Sequence, residues 1–357
     1  MTRWLVVLAA AAALVITPLA VQARPAKASD QTVEVLAARV SASAGVGWSG
    51  SVQSEGTLQL PANDSFATLG QLLGERNDLR AWWRSPTDWR VDRIRSTGET
   101  DLFRQGRGQV RWVFESARAT FSPVSTIRLP DAPDVLPAVL GRSLLQGARP
   151  DELSPLPSRR VAGVDAAGLR LTPRDPDTTV GRVDLWVEPT TGLPLRVELS
   201  GTTPGRPVLT TAVTDLTLGT PDRARTRFSA PASVSLAYEE SVDVAAAANA
   251  LAAFDLPSRL AGLPTRDGTD PGAVGVYGRG PTTMIVLPLR GSVARPLRDR
   301  LADSGTATTS ADGTLAPACP VTVLVTPRRR QGGSFLLAGT VRPETAQRAA
   351  RQLLATG

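Results

Sequence analysis

From residue 46 to residue 60 the side chains keep a period of two. Val46, Trp48, Gly50, Val52, Leu58 and Leu60 share one side, while Ser49, Ser51, Gln53, Glu55, Thr57 and Gln59 take the other. Such alternation suits a pleated ribbon, strand or hairpin, with one face buried. The pattern recurs in short pieces at residues 89–95, 99–104 and 109–115, parted by turn chemistry such as Gln105-Gly106-Arg107-Gly108. In the last of these, Val110, Trp112 and Phe114 alternate with Arg111, Val113 and Glu115. Further on, Val183, Leu185 and Val187 mark one strand and Leu193, Leu195, Val197 and Leu199 the next, with Pro189-Thr190-Thr191-Gly192 as the turn between them. Residues 210–218 supply another. Helical spacing is confined to short stretches: residues 31–40, a segment from Asp64 or Ser65 to Leu73, and residues 134–146, stopped by Gly147. Residues 150–157 read as a proline-rich loop. Residues 30–235 are therefore expected to form a many-stranded antiparallel sheet over two or three short helices, an α+β arrangement.

Residues 236–253, with four consecutive alanines at 245–248, read as a linker. Residues 254–357 have their own pattern: strands at 273–278, 283–287, 321–325 and 334–339, a helix at 293–301, and a last amphipathic helix opened by Pro343-Glu344. This predicts a small C-terminal α+β domain. The basic run Arg328-Arg329-Arg330-Gln331-Gly332-Gly333 reads as a solvated hairpin loop.

At the N-terminus Arg3 precedes an unbroken apolar stretch, then Pro18 and the small-x-small pair Val21 and Ala23. That is the form of a secretory signal peptide over residues 1–23, with a second candidate cut after Ala28. The alternative is an uncleaved anchor, since residues 4–23 are just long enough to span about 30 Å of hydrocarbon. Either way the chain is exported, to a periplasmic or other cell-envelope location. Cys319 is the one cysteine, so no intramolecular disulfide forms. Between two prolines it is expected to be packed.

The 357 residues contain no histidine. That removes Ser-His-Asp and Cys-His nucleophiles, imidazole acid–base catalysis and His-ligated zinc. There is no Gly-x-Ser-x-Gly elbow and no calcium loop, and the glycines at 275, 278 and 280 lie between two expected strands, where no helix would receive a phosphate. Glu239-Glu240 and Asp175-Pro176-Asp177 read as solvated surface. A hydrolase working with carboxylates alone would need two strongly perturbed groups in one cleft. No enzyme activity, cofactor or metal is expected. The 40 basic and 33 acidic residues are interleaved instead of forming a basic arm, so nucleic acid is not an expected partner.

Five of the seven tryptophans (48, 82, 83, 89 and 112) lie in the first half of the expected sheet, either as core or as the wall of a hydrophobic cavity. Here Trp82-Trp83-Arg84, Trp89-Arg90-Val91-Asp92, Gly98-Glu99-Thr100-Asp101 and Val110-Arg111-Trp112-Val113-Phe114 resemble the middle of the LolA-like lipoprotein-carrier superfamily. So do residues 183–196, with their Gly-Leu-Pro-Leu-Arg segment, and the closing Phe228 to Pro231. The two-domain layout looks most like the RseB/MucB periplasmic sigma-factor regulators. The resemblance implies an unclosed antiparallel β-barrel covering short helices, with an apolar cavity for acyl chains of lipids or lipoproteins. It implies a membrane-proximal sensor that contacts the extracytoplasmic part of an anti-sigma factor, or else a carrier. With the alternation, it assigns Trp48, Trp89, Trp112, Phe114, Val183, Leu185 and Leu195 to the cavity. Tyr277 and Arg279 are candidates for docking the membrane-bound regulator. The alternative is a protein–protein module whose interior is filled by its own side chains and which docks that regulator through the C-terminal domain, with no lipid ligand.

Overall fold

The computed structural model describes residues 25–58, 67–124, 128–230, 234–238, 256–266, 274–329 and 333–355. The expected signal segment, Leu60, the residues proposed to open the second helix, residues 239–253 of the expected linker and the first two residues of the expected C-terminal domain lie outside them. Among the described residues no helix is long and apolar enough to cross a membrane.

Helix α1 (Val33–Ala42) begins at Thr32, whose hydroxyl accepts from the Val35 N–H, and buries Leu36 and Val40. Then come β1 (Trp48–Gly56), α2 (Ala67–Gly74), β2 (Arg76–Ser85), β3 (Asp88–Arg95), β4 (Gly98–Gln105), β5 (Gly108–Val113) and β6 (Arg118–Pro123). A 3-10 turn at Ala132–Val135 leads into α3 (Pro137–Leu145), followed by β7 (Leu153–Val161), β8 (Val164–Leu171), β9 (Val180–Val187), β10 (Pro194–Gly201), β11 (Leu209–Leu218), the single turn α4 (Arg223–Thr226) and β12 (Ser235–Tyr238). These strands make one 12-stranded sheet in the order β12-β6-β5-β4-β3-β2-β1-β11-β10-β9-β8-β7. Neighbours are antiparallel except β12, which runs parallel to β6. β1 is the closing element. It pairs along its length with β2 on one side and with β11, some 160 positions later, on the other. The two end strands, β12 and β7, leave the sheet unclosed.

The sheet folds over α1, α2 and α3. Trp48, Trp83, Trp89, Leu79, Val91 and Leu195 pack with Leu136 and Ala138 in one core cluster. Leu36 and Val40 of α1 meet Val183, Leu185 and Val197 in another. Trp83 and Trp89 stack with ring centroids 6.0 Å apart and planes 2° from parallel.

A two-stranded ribbon, β13 (Arg259–Leu260) with β14 (Leu263–Pro264), precedes the second sheet. That sheet comprises β15 (Gly275–Arg279), β16 (Thr282–Leu289), β17 (Thr308–Ser310), β18 (Gly313–Ala318), β19 (Val321–Val325) and β20 (Ser334–Gly339), ordered β15-β16-β20-β19-β18-β17. Helices α5 (Gly291–Ala302) and α6 (Pro343–Ala355) cover it.

Several expectations need correction. Residues 153–157 of the expected loop belong instead to a strand, β7; it ends the sheet, so Pro155 and Pro157 withhold no N–H that a neighbour requires. The alternating segment from residue 46 is a single strand that stops at Gly56, because Gly56 and Leu58 turn to bond Glu75 O and Leu73 O. Cys319 is exposed, not packed: the tight backbone of Gly201 lies behind it and solvent in front. Arg329 is buried, with its guanidinium over the Phe335 ring at 5.7 Å, so that part of the basic run is not solvated.

Candidate functional site

Where the second sheet meets the first, the molecule holds a cavity of about 450 Å³. Helix α3 supplies most of one wall, because Val139, Leu140 and Leu144 recur at helical spacing on one face. Leu199, the last apolar side chain of β10, and Leu209, the first residue of β11, complete the larger sheet's side. Pro320, Val321 and Thr340 close the cavity from the smaller sheet. The polar groups converge at one edge. Arg128 donates to Asp134 from both terminal guanidinium nitrogens, Nη1 at 2.5 Å and Nη2 at 2.9 Å, while Asp134 also accepts the Asp131 N–H at 2.7 Å. Apolar walls with a few convergent polar groups are the usual make-up of a ligand pocket, and the volume falls in the customary range of roughly 300–1,000 Å³.

The seam around this cavity is held by directional bonds. Thr179 N–H donates to Thr340 O at 3.1 Å and Arg342 N–H to Asp177 O at 2.8 Å. The Thr345 hydroxyl reaches Asp177 Oδ1 at 2.6 Å. Glu152, whose side chain is fully buried, takes Arg279 Nη1 on Oε2 at 2.8 Å and Arg279 Nη2 on Oε1 at 2.7 Å. The same carboxylate accepts the backbone N–H groups of Arg149 and Arg174. Burial by itself would raise this carboxyl; the bonds from Arg279, Arg174 and Arg149 outweigh it and hold Glu152 down at about 2.

A second titratable cluster lies on the sheet. Oxygens of Asp92, Glu99 and Asp101 come within 4.8 Å of one another. Arg90 already fills the space between two of them: its Nε and Nη2 bond Asp92 at 2.6 and 2.8 Å, Nη2 also bonds Asp101 at 2.8 Å, and the guanidinium lies over the Trp82 and Phe103 rings. Burial, reinforced by the Asp92 charge and opposed by Arg90, pushes Asp101 up to about 7. The positive charge that a metal would bring is thus supplied by a side chain.

None of the seven residues assigned to the cavity from sequence lines it. Trp48, Trp89 and Leu195 are packed in one core cluster, Val183 and Leu185 in a second, and Trp112 in a third with Phe103 and Val110. Phe114 stands past the end of β5 on the turn to β6, 67% exposed, because the alternation that included it ends at Val113. The two docking candidates also turn inward. Tyr277 is wholly buried and its hydroxyl donates to Pro257 O at 2.7 Å, while Arg279 is committed to Glu152. The α3 face at Val139, Leu140 and Leu144 was readable as an apolar stripe. That it looks onto a cavity was not, since the opposite wall comes from residues 320–340.

The chain is thus a large open antiparallel sheet folded over short helices and followed by a smaller sheet unit. Residues 104–233 match the family model described as the MucB/RseB N-terminal domain, so this part of the chain is similar to that domain, as its residues suggested. No curated protein matches it in sequence. Among solved structures, the Pseudomonas aeruginosa MucA/MucB complex is 18% identical, over 89% of this chain and 96% of that one, with a TM-score of 0.49. A LolA superfamily protein from Nitrosomonas europaea is 15% identical, over 56% of this chain and 98% of its own, at 0.25. A conserved protein from Thermus thermophilus is 13% identical, over 58% and 100%, at 0.34.

Proposed function

We propose that the chain is an exported, non-enzymatic protein of the cell envelope that takes an acyl chain of a lipid or lipoprotein into the cavity at the seam and acts as a sensor or carrier. The cavity itself carries this reading: about 450 Å³ walled chiefly by Leu and Val, with one polar edge at Arg128 and Asp134. Partition is then the whole mechanism. Each methylene that leaves water for the cavity contributes about 0.8 kcal/mol, so a long chain supplies several kcal/mol after its ordering cost. The test is native mass spectrometry of protein purified from its own envelope, with a fluorescent acyl probe added to stripped protein. Co-purifying lipid or lipopeptide and saturable probe binding support the reading. Protein that is empty and takes up no probe overturns it.

The match to the MucB/RseB domain favours a second element of the same reading, a regulatory partner. The Pseudomonas aeruginosa MucB structure is that of a complex with MucA. For this chain the corresponding partner would be the extracytoplasmic part of an anti-sigma factor, docked through residues 254–357. Pull-down from solubilised membranes should lose that partner when those residues are deleted; capture that survives the deletion removes this unit from the contact.

A further inference from the structure

At the opposite end of the large sheet, one full length of β2 from Leu58 and Leu73, lies a second cavity of about 430 Å³ with different chemistry. It is walled by the β2–β3 turn (Ser85, Thr87, Asp88), the β4–β5 turn (Gln105, Gly106) and the α4 segment (Arg223, Thr226, Arg227). β2 has 10 residues, so the two cavities stand about 30 Å apart along the strand. The acid on this wall is already spoken for: Arg84 Nε donates to Asp88 Oδ2 at 3.0 Å, and Arg84 Nη1 bonds Pro221 O. Arg223 and Arg227 have no such partner. Neither side chain makes an ion pair or hydrogen bond among the described residues, and both line the same cavity. The Ser85 and Thr87 hydroxyls sit 3.3 Å apart on the facing turn. The platform is fixed, because Gln105 Nε2 donates to Thr226 O at 3.2 Å and Thr226, the last residue of α4, is itself buried.

Two arginines without an acidic partner and two hydroxyl-bearing residues thus line one concavity, which is rich in donors and carries net positive charge. Arginine's planar fork suits phosphate oxygens, and hydroxyls complete their coordination. We infer that this pocket binds a phosphate ester anion through Arg223 and Arg227, with Ser85 and Thr87 as further donors. One source of that chemistry is the head group of an anionic phospholipid. Gln31 Nε2 bonds Pro189 O at 3.1 Å in the β9–β10 turn, so the chain enters the fold at the same end of the sheet as the pocket. The other source is a small soluble phosphate ester. The site stands apart from the acyl cavity and does not depend on it.

The experiment uses the chain as recovered from the envelope, at low ionic strength because exposed charges are readily screened. Inorganic phosphate and glycerol 3-phosphate are titrated while the thermal midpoint is followed. Sedimentation with phosphatidylglycerol vesicles is compared with phosphatidylcholine vesicles. Arg223→Gln/Arg227→Gln is set against Arg206→Gln/Arg225→Gln, which removes the same charge from exposed residues outside the pocket. Wild type and the control should be stabilised by phosphate or retained on the anionic vesicles, and the pocket variant should bind about tenfold more weakly or worse. A vesicle response identifies the head group; a phosphate response without one identifies a soluble ester. The inference is overturned if the control loses as much binding as the pocket variant, or if wild type responds to neither probe.

Discussion

Arg279 and Glu152, 127 positions apart, meet as a two-pronged ion pair that ties the smaller sheet to the loop before β7. The carboxylate has no exposed side-chain surface and four donors converge on it. Such a pair is costly to break from one side, since the remaining partner stays desolvated.

Glu152→Gln should therefore lower stability by about 2–4 kcal/mol and open the seam to proteases, with cleavage rising in residues 254–357. Urea unfolding and limited proteolysis check this together. A variant as stable and as resistant as wild type would mean that the ion pair contributes nothing to the seam.

Glu152 also sets an acid limit. Its folded-state carboxyl is held below the ordinary value, at about 2, so its contribution is complete above pH about 4.5 and is lost as the pH falls toward 2. Thermal midpoints from pH 6 down to pH 2 should fall more steeply for wild type than for Glu152→Gln, and the two curves should converge at the acid end.

Asp101 works in the opposite sense. Its folded-state carboxyl is raised, to about 7, so the stability it lends is present below its ordinary value and disappears as the pH rises toward and past 7. Asp101→Asn keeps the shape and removes the titration. Between pH 5 and pH 8 the variant's stability should change less than that of wild type, with the largest gain over wild type at the alkaline end. Parallel profiles would count against a raised Asp101.

Two substitutions separate the packed core from the cavity. Trp89→Ala should cost about 3–5 kcal/mol through the void it leaves against Trp83, yet keep acyl-probe binding wherever the protein remains folded. Leu140→Trp should cost little stability and weaken the probe at least about tenfold by filling the cavity. If Trp89→Ala alone loses the probe, the guest lies against the tryptophans and not at the seam.

At Gly192 the backbone has φ of +75°, and a Cβ there would meet Arg39 C and O at 2.4 Å. Gly192→Ala should destabilise by about 1–3 kcal/mol, read from urea unfolding, because both the turn and the end of α1 would have to move.

The strands on either side of that glycine were legible in advance because Val183, Leu185, Leu195 and Val197 alternate and a glycine turn parts them. Period two reports which residues share a face. It does not report what lies above the face. Trp48 and Trp89 look alike in sequence whether they touch a guest or Leu136, and only the arrival of α3 and its preceding turn decides between the two. Arg279 shows the same limit from the other side: an arginine in a strand carries no mark of the buried glutamate 127 residues earlier that will claim it. β7 was hidden for a local reason, since its prolines are tolerated only at a sheet's rim, and being at the rim is a property of topology.

The hollow at the seam belongs to neither unit alone. A chain ending before Leu256 would keep the α3 stripe but lack Pro320, Val321 and Thr340, leaving an open greasy trough in water. Any molecule that prefers the complete enclosure must, by reciprocity, stiffen the junction by as much free energy as the intact junction adds to its own retention. Lodging and clasping are two readings of one coupling.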